Sequence, residues 1–304
     1  MGNSSSQETL VADKAQIAPP RYAFAALMIA NIALSFGPLF VRLADTGPVA
    51  SAFWRLALAA PILFAMAPIT RQPIARPNRA LLITLIIAGL FFAADLASWH
   101  FGILKTKLAN ANLLANSASF LFPLYAFIIA RTMPSRAQGF ALALAAIGTA
   151  LLMGRSYQLS PQTFIGDLLC LFAGICYVGY LVVIGQARSQ LAQWPVIAWS
   201  TLAGTLPLLF AAWLLGETIM PRDWTPLILL ALLSQVIGQG LMVSVLGRLS
   251  PIVIGIGLLI QPVIAAVIGW RLYGEQLGAS DIAGAALIGL ALILVRQPDR
   301  KTND

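Results

Sequence analysis

Three ionisable side chains, Arg55, Asp95 and His100, sit within runs of residues that are otherwise almost wholly apolar. An ionisable group at membrane depth is costly, so it faces a cavity or a partner and marks a candidate functional position. A carboxylate can bind an ammonium group or carry a proton, and an imidazole can relay one. Asp95 and His100 are therefore the candidates for proton coupling, with Arg55 as a third charge. Trp99 follows Asp95 by four residues and shares its helical face, whereas His100 is turned away. Neutral polar residues repeat the one-turn spacing as Asn31 and Ser35, Asn112 and Asn116, and Gln235 and Gln239, with Gln261 alone. Amides both donate and accept hydrogen bonds, which suits a zwitterion. Interhelical hydrogen bonding would explain any one of them. Their occurrence near the centres of several segments favours a shared polar cavity, walled by aromatics such as Trp54, Trp99, Tyr177, Tyr180 and Trp199.

Ten apolar segments must position these groups, at approximately 22–41, 48–69, 79–103, 107–130, 135–154, 163–185, 193–215, 224–246, 250–272 and 280–297. Hydrophobic residues make up 59% of the chain and charged residues 10%, with a mean hydropathy of +0.85. A bilayer core is crossed by about 20 apolar helical residues. Helices are expected because a lipid-exposed backbone must satisfy its own polar groups, and the runs are too continuously apolar for barrel strands. The chain therefore reads as an all-α polytopic membrane protein in the lipid bilayer, with ten transmembrane helices. At 1.5 Å per residue Arg55 and Asp95 lie at similar depths, roughly 10 and 12 Å below one face, so an Arg55–Asp95 pair is expected. A purely structural role for that pair remains open.

The net charge of +8 would suggest nucleic acid in a soluble protein; here it reports orientation. With both termini in the cytoplasm, Lys14, Arg21, Arg71, Arg76, Arg79, Arg131, Arg136, Arg188, Arg248, Arg296, Arg300 and Lys301 lie inside. Arg42, Lys105, Lys107, Arg155, Arg222 and Arg271 lie outside. The positive-inside rule selects that arrangement. Residues 1–18 and 298–304 are expected as cytoplasmic tails, the first disordered. Cys170 and Cys176 lack the spacing of a tetrahedral zinc site, and no glycine-rich phosphate loop stands in a strand–loop–helix context. No metal, cofactor or nucleic acid partner is expected.

The chain divides near residues 159–161 into two sets of five segments. Five is odd, so the second set must be inverted relative to the first, and inverted repeats with interrupted helices are a signature of alternating-access transporters. Pro123 and Pro262 occupy matching positions in segments 4 and 9 and are the candidate helix breaks. Pro61 and Pro207 match in segments 2 and 7, where a simple kink is an equal reading.

These residues also carry a resemblance. Gly47 to Leu56, with Pro48 followed by Arg55, resembles the second helix of the EamA-type drug/metabolite transporters. Gly166-Asp167 opens segment 6 as those repeats do, and Arg248-Leu249-Ser250-Pro251, Gln261-Pro262, Gly274-Glu275 and Gly284 are similar to their last three helices. The likeness spans about 21–297, with the YddG-type amino-acid exporters the most similar branch. The first half departs from the pattern: Ile129-Ala130-Arg131 stands where a Gly-Glu pair is expected. The resemblance implies two five-helix repeats, 19–158 and 159–297, around a central cavity, and a secondary transporter of small metabolites, foremost an amino-acid exporter in a bacterial inner membrane. The alternative reading is a broader efflux transporter for drugs or cationic compounds. A membrane-embedded enzyme would need clustered nucleophile, base or metal ligands, which one histidine and two cysteines do not supply.

Overall fold

Prolines, glycines and short polar side chains set the helix boundaries. The structure, a computed structural model, describes residues 21–72, 74, 76–106, 111, 114–154, 164–273 and 278–296. The expected tails, Asn112 and the Gly274-Glu275 pair lie outside them. The elements are α1 (Arg21–Ser35), α2 (Gly37–Leu43), α3 (Pro48–Ile69), α4 (Arg79–Lys105), α5 (Ala118–Ala130), α6 (Arg136–Gly154), α7 (Phe164–Ala187) and α8 (Gln193–Leu214). They continue with α9 (Thr225–Leu229), a π-helical segment (Leu230–Gln239), α10 (Gly240–Val245), α11 (Pro251–Leu258), α12 (Ile260–Tyr273) and α13 (Ala279–Arg296). Pro48 and Pro251 open α3 and α11, where a missing N–H costs nothing. Asn78 caps α4 by accepting from the Leu81 amide at 2.9 Å, and Ser250 caps α11 through Val253.

Among the described residues six apolar helical segments are long enough to cross a membrane: Tyr22–Leu43, Pro48–Ile69, Arg79–Lys105, Phe164–Ala187, Gln193–Leu214 and Thr225–Val245. Four shorter apolar helices, Ala118–Ala130, Arg136–Leu151, Pro251–Ile264 and Ile282–Val295, stand where segments 4, 5, 9 and 10 were expected. Outward-facing side chains are large and apolar, among them Ile83, Ile86 and Leu90 on α4 and Leu206, Phe210 and Trp213 on α8. Such a surface belongs in lipid, since a water-soluble monomer rarely exposes a contiguous apolar patch of that extent. Small residues face inward instead, including Ala23, Ala30, Ala50, Ala52 and Ala59, and let the helices approach closely.

Among the described residues three segments are interrupted. The first breaks at Phe36, between α1 and α2, because Pro38 has no N–H for the Leu34 carbonyl four residues back. The ninth breaks at Leu259, which leaves Pro262 third in α12, a position that needs no intrahelical donor. The fourth turns at Asn116 and Ser117 before α5 begins. The expected break at Pro123 is corrected: α5 runs through it. Gly255 of α11 lies against Pro123 and the Ser119 carbonyl, the acceptor that the proline leaves without its helical donor, so the approaching helix covers the defect instead of opening it.

The helices associate across the two sets. α3 lies along α8, α4 along α7 and α8, α5 along α11, and α6 along α13, while α1 lies along the π-helical segment and α10. At the α4–α8 crossing, a Cβ added to Gly89 would fall 2.6 Å from the Ser200 carbonyl oxygen, so glycine permits that approach. The largest buried cluster draws on α1, α3, α4, α5, α7, α8, the π-helical segment, α10 and α11, and a polar cavity lies beside it.

Candidate functional site

Arg55 sits two turns into α3 and is 4% exposed. Its Nε donates to Gln235 Oε1 at 3.2 Å, and Gln235 Nε2 donates to Thr201 Oγ1 at 3.0 Å. α3, the π-helical segment and α8 therefore hold one side of the guanidinium, while the Phe92 ring lies 5.6 Å from its central carbon. Among the described residues the guanidinium makes its hydrogen bond through Nε, and Arg55 borders the cavity. Asp95 is partly exposed to the same cavity, and its carboxylate has no hydrogen-bond partner among the described residues. The expected direct Arg55–Asp95 ion pair is thus corrected. The two groups share a cavity, but no ion pair joins them among the described residues. Gln235 takes the contact instead.

The cavity occupies about 720 Å³ including its open mouth. Of the expected residues, Ser35, Arg55, Asp95, Trp99, Asn116, Tyr177, Gln239 and Gln261 line it, joined by Phe92. Gln261 Nε2 donates to Asn31 Oδ1 at 2.9 Å, and Asn31 Nδ2 donates to the Leu27 carbonyl at 2.8 Å. Asn31 is fully buried and supports Gln261 from behind the wall. Gln235 is equally buried and orients Arg55. Tyr177 Oη donates to Gln239 Oε1 at 3.3 Å. Trp99 lies against Gly37 at the α1–α2 break.

His100 is placed elsewhere. Its Nδ1 lies 2.9 Å from Ser51 Oγ and 3.0 Å from the Pro48 carbonyl oxygen, fully buried against the first turn of α3. A carbonyl only accepts, so Nδ1 carries the hydrogen. The ring ties the end of α4 to the start of α3, outside the cavity wall. Trp54 and Trp199 are also away from it: Trp54 packs edge-on against Trp224 and Trp199 against Phe64. Tyr180 is buried behind the wall, stacked on Phe92.

Phe92 and Thr201 were not expected from the sequence. Phe92 had a signal, since it precedes Asp95 by three residues on the same face. Thr201 had none, because only the crossing of α8 with α3 and the π-helical segment brings it to Gln235. Among the described residues no three His, Cys, Asp or Glu side chains come together as metal ligands. What the arrangement offers is recognition: two separated opposite charges, three amides and an apolar wall.

Comparison with known proteins agrees with a transport role. The model of the EamA-like transporter family matches residues 21–154 and again 164–297. The chain is 25% identical over 287 residues to an uncharacterised transporter of Archaeoglobus fulgidus, covering 90% of this chain and 96% of that one. It is 28% identical over 193 residues to a probable amino-acid metabolite efflux pump of Salmonella typhimurium, covering 60% of this chain and 64% of that one. A solved crystal structure aligns with a TM-score of 0.75 at 14% identity, over 90% of this chain and 97% of that chain. That likeness concerns the fold alone.

Proposed function

The chain belongs to the EamA-like transporter family, and from that premise we propose that it is a secondary transporter exporting amino acids by alternating access. The observation that carries this reading is a cavity lined from both matched repeats by polar groups. Arg55, Asp95 and Asn116 come from the first, and Tyr177, Gln239 and Gln261 from the second. A site built at the seam of two units is loaded and released when one rocks against the other.

The helix associations support ten spans arranged as two inverted five-helix halves. A two-fold axis in the membrane plane relates segment 1 to 6, 2 to 7, 3 to 8, 4 to 9 and 5 to 10. Under it the pairs 2–7, 4–9 and 5–10 map onto themselves, and the pair 3–6 maps onto 8–1. These are the α3–α8, α5–α11, α6–α13, α4–α7 and α1–π-helix associations. The interrupted first, fourth and ninth segments border the same cavity, where irregular backbone at membrane depth is tolerated.

The distribution of lysine and arginine supports placing both termini in the cytoplasm, and the family resemblance supports a bacterial inner membrane. Asp95, as the carboxylate opening on the cavity, is the group through which a proton would be coupled; His100 now ranks behind it. The amino-acid class draws on the amide-rich wall and on the printed name of the Salmonella typhimurium relative. A second reading, efflux of lipophilic cations, draws on Asp95 facing Phe92, Trp99 and Tyr177, since aromatic faces attract cations.

The test is reconstitution in liposomes and screening of labelled amino acids alongside lipophilic cations. Amino-acid flux above empty liposomes is expected. If only cations move, and Asp95→Asn abolishes their movement, the second reading replaces the first.

A further inference from the structure

We propose that Arg55 and Asp95 are the two poles of a zwitterion site, Arg55 holding the carboxylate and Asp95 the ammonium group of an amino acid with an apolar side chain. This rests on the amino-acid reading above and assigns its binding mode. Opposite charges in a weakly screened interior attract strongly, yet these two share a cavity without joining. The structure holds the guanidinium back. Gln235 Oε1 takes Nε at 3.2 Å, Thr201 fixes Gln235 at 3.0 Å, and Phe92 lies 5.6 Å from the central carbon. With Nε engaged, the two terminal nitrogens present the planar fork that matches a carboxylate bidentately. Asp95 can only accept while ionised, which suits the three donors of an ammonium group.

Selectivity then comes from repulsion as much as attraction. The pair contributes no net charge, so a zwitterion satisfies both poles at once. An amino-acid amide is a cation that leaves Arg55 unpaired and faces its charge. An N-acetyl amino acid is an anion that does the same to Asp95. Leu34, Leu96 and Leu258 complete the wall and would take an apolar side chain. Gln235 and Thr201 are positioning residues, because they touch Arg55 or its holder and not the ligand.

The experiment measures binding of L-leucine and L-phenylalanine, their amides and their N-acetyl derivatives to the purified full-length protein, alongside amino-acid flux. At least one free amino acid should bind ten-fold or more tightly than either capped form. That ligand series uses the unmodified protein and depends on no variant folding. Arg55→Gln should remove the preference over the amide, and Asp95→Asn the preference over the N-acetyl form. Thr201→Val should weaken the free amino acid several-fold and leave the amide unchanged, a split that general loosening would not produce. Capped forms binding as well as the free amino acid, with amino-acid flux intact, would overturn the two-pole site and spare the transport reading. Absence of both flux and binding for every free amino acid would overturn both.

Discussion

Two ends of helix α3 environment, its first turn and the stretch around Arg55 two turns later, treat polar groups in opposite ways. On the side of α3 that meets residues 215–222, the strap that follows α8, several polar groups of its first two turns and lead-in are answered by that strap. Glu217 accepts from the Ala50 amide at 2.8 Å and the Val49 amide at 3.3 Å. The Gly47 amide donates to the Thr218 carbonyl at 3.0 Å, and Trp54 Nε1 to the Ile219 carbonyl at 2.7 Å. Asp45 accepts from the Arg222 amide at 2.8 Å. Glu217 thus supplies negative charge and acceptors where a helix N-terminus needs both. Two turns on, Arg55 makes its hydrogen bond through Nε and Asp95 keeps its carboxylate open, although burying unanswered charge is expensive. One carboxylate is thus satisfied within the fold and the other is left open to the cavity, the difference that the proposed two-pole site accounts for. The strap is closed by contacts within the chain, whereas the cavity presents two charged groups that the described residues leave open.

That contrast is broken most readily at Asp95. Asp95→Asn should lower amino-acid flux on the order of 10- to 100-fold, since a charge-assisted hydrogen bond is worth about 1.5–3 kcal/mol. Thermal stability should hold or rise, because an uncompensated carboxylate disappears. Flux in liposomes and melting in detergent measure the two effects. A large fall in melting temperature with unchanged flux would place Asp95 among the structural groups.

Glu217→Ala should do the reverse. Two amides at the start of α3 lose their acceptor, at a cost of about 1–2 kcal/mol in stability. Amino-acid affinity should stay within about two-fold, since Glu217 is not part of the cavity wall. Glu217→Gln should recover part of the stability by keeping an acceptor without the charge. If Glu217→Ala weakened ligand binding as much as Asp95→Asn, the two regions would be one functional unit.

A smaller effect sharpens the same line. Trp54→Phe removes the donor to Ile219 and keeps an aromatic ring beside Trp224, whose centroid lies 4.8 Å away. About 1 kcal/mol of stability should be lost, the usual worth of one hydrogen bond, with flux unchanged. Thermal melting together with flux checks it, and a selective loss of flux would return Trp54 to the cavity residues.

Much of this was legible in one dimension, and the failures share a cause. The span expected at 48–69 is α3 itself, because Gly47-Pro48 announces a helix start and the apolar run sets its length. Asp95, Trp99, Gln239 and Gln261 came to one cavity because composition alone marks a polar residue in an apolar run as inward-facing. Depth could also be counted along a helix, which put Arg55 and Asp95 at one level. Rotation and neighbours could not be counted. Which side chain meets Nε of Arg55 depends on how α8 and the π-helical segment cross α3, and those residues lie more than a hundred positions away. The π-helical register at Leu230–Gln239 likewise has no counterpart in a pattern read at 3.6 residues per turn. Pro123 failed differently: its freed carbonyl is covered by Gly255 of a distant helix, so the local rule was overridden by packing.

The mildest test concerns His100, which sequence reasoning placed with the proton carriers and the structure places against the first turn of α3. Ser51 Oγ donates to the Pro48 carbonyl at 2.7 Å and lies 2.9 Å from His100 Nδ1. Ser51→Ala removes that hydroxyl and leaves the direct contact between Nδ1 and the Pro48 carbonyl, 3.0 Å, in place. Because the imidazole keeps an acceptor, the cost should be about 1 kcal/mol or less, read as a small fall in melting temperature. Flux and its dependence on a proton gradient should be unchanged, since neither Ser51 nor His100 lines the cavity. A variant that melted normally yet lost its response to the gradient would show that the junction of α3 and α4 carries protons, and the division between closed strap and open cavity would have to be redrawn through His100.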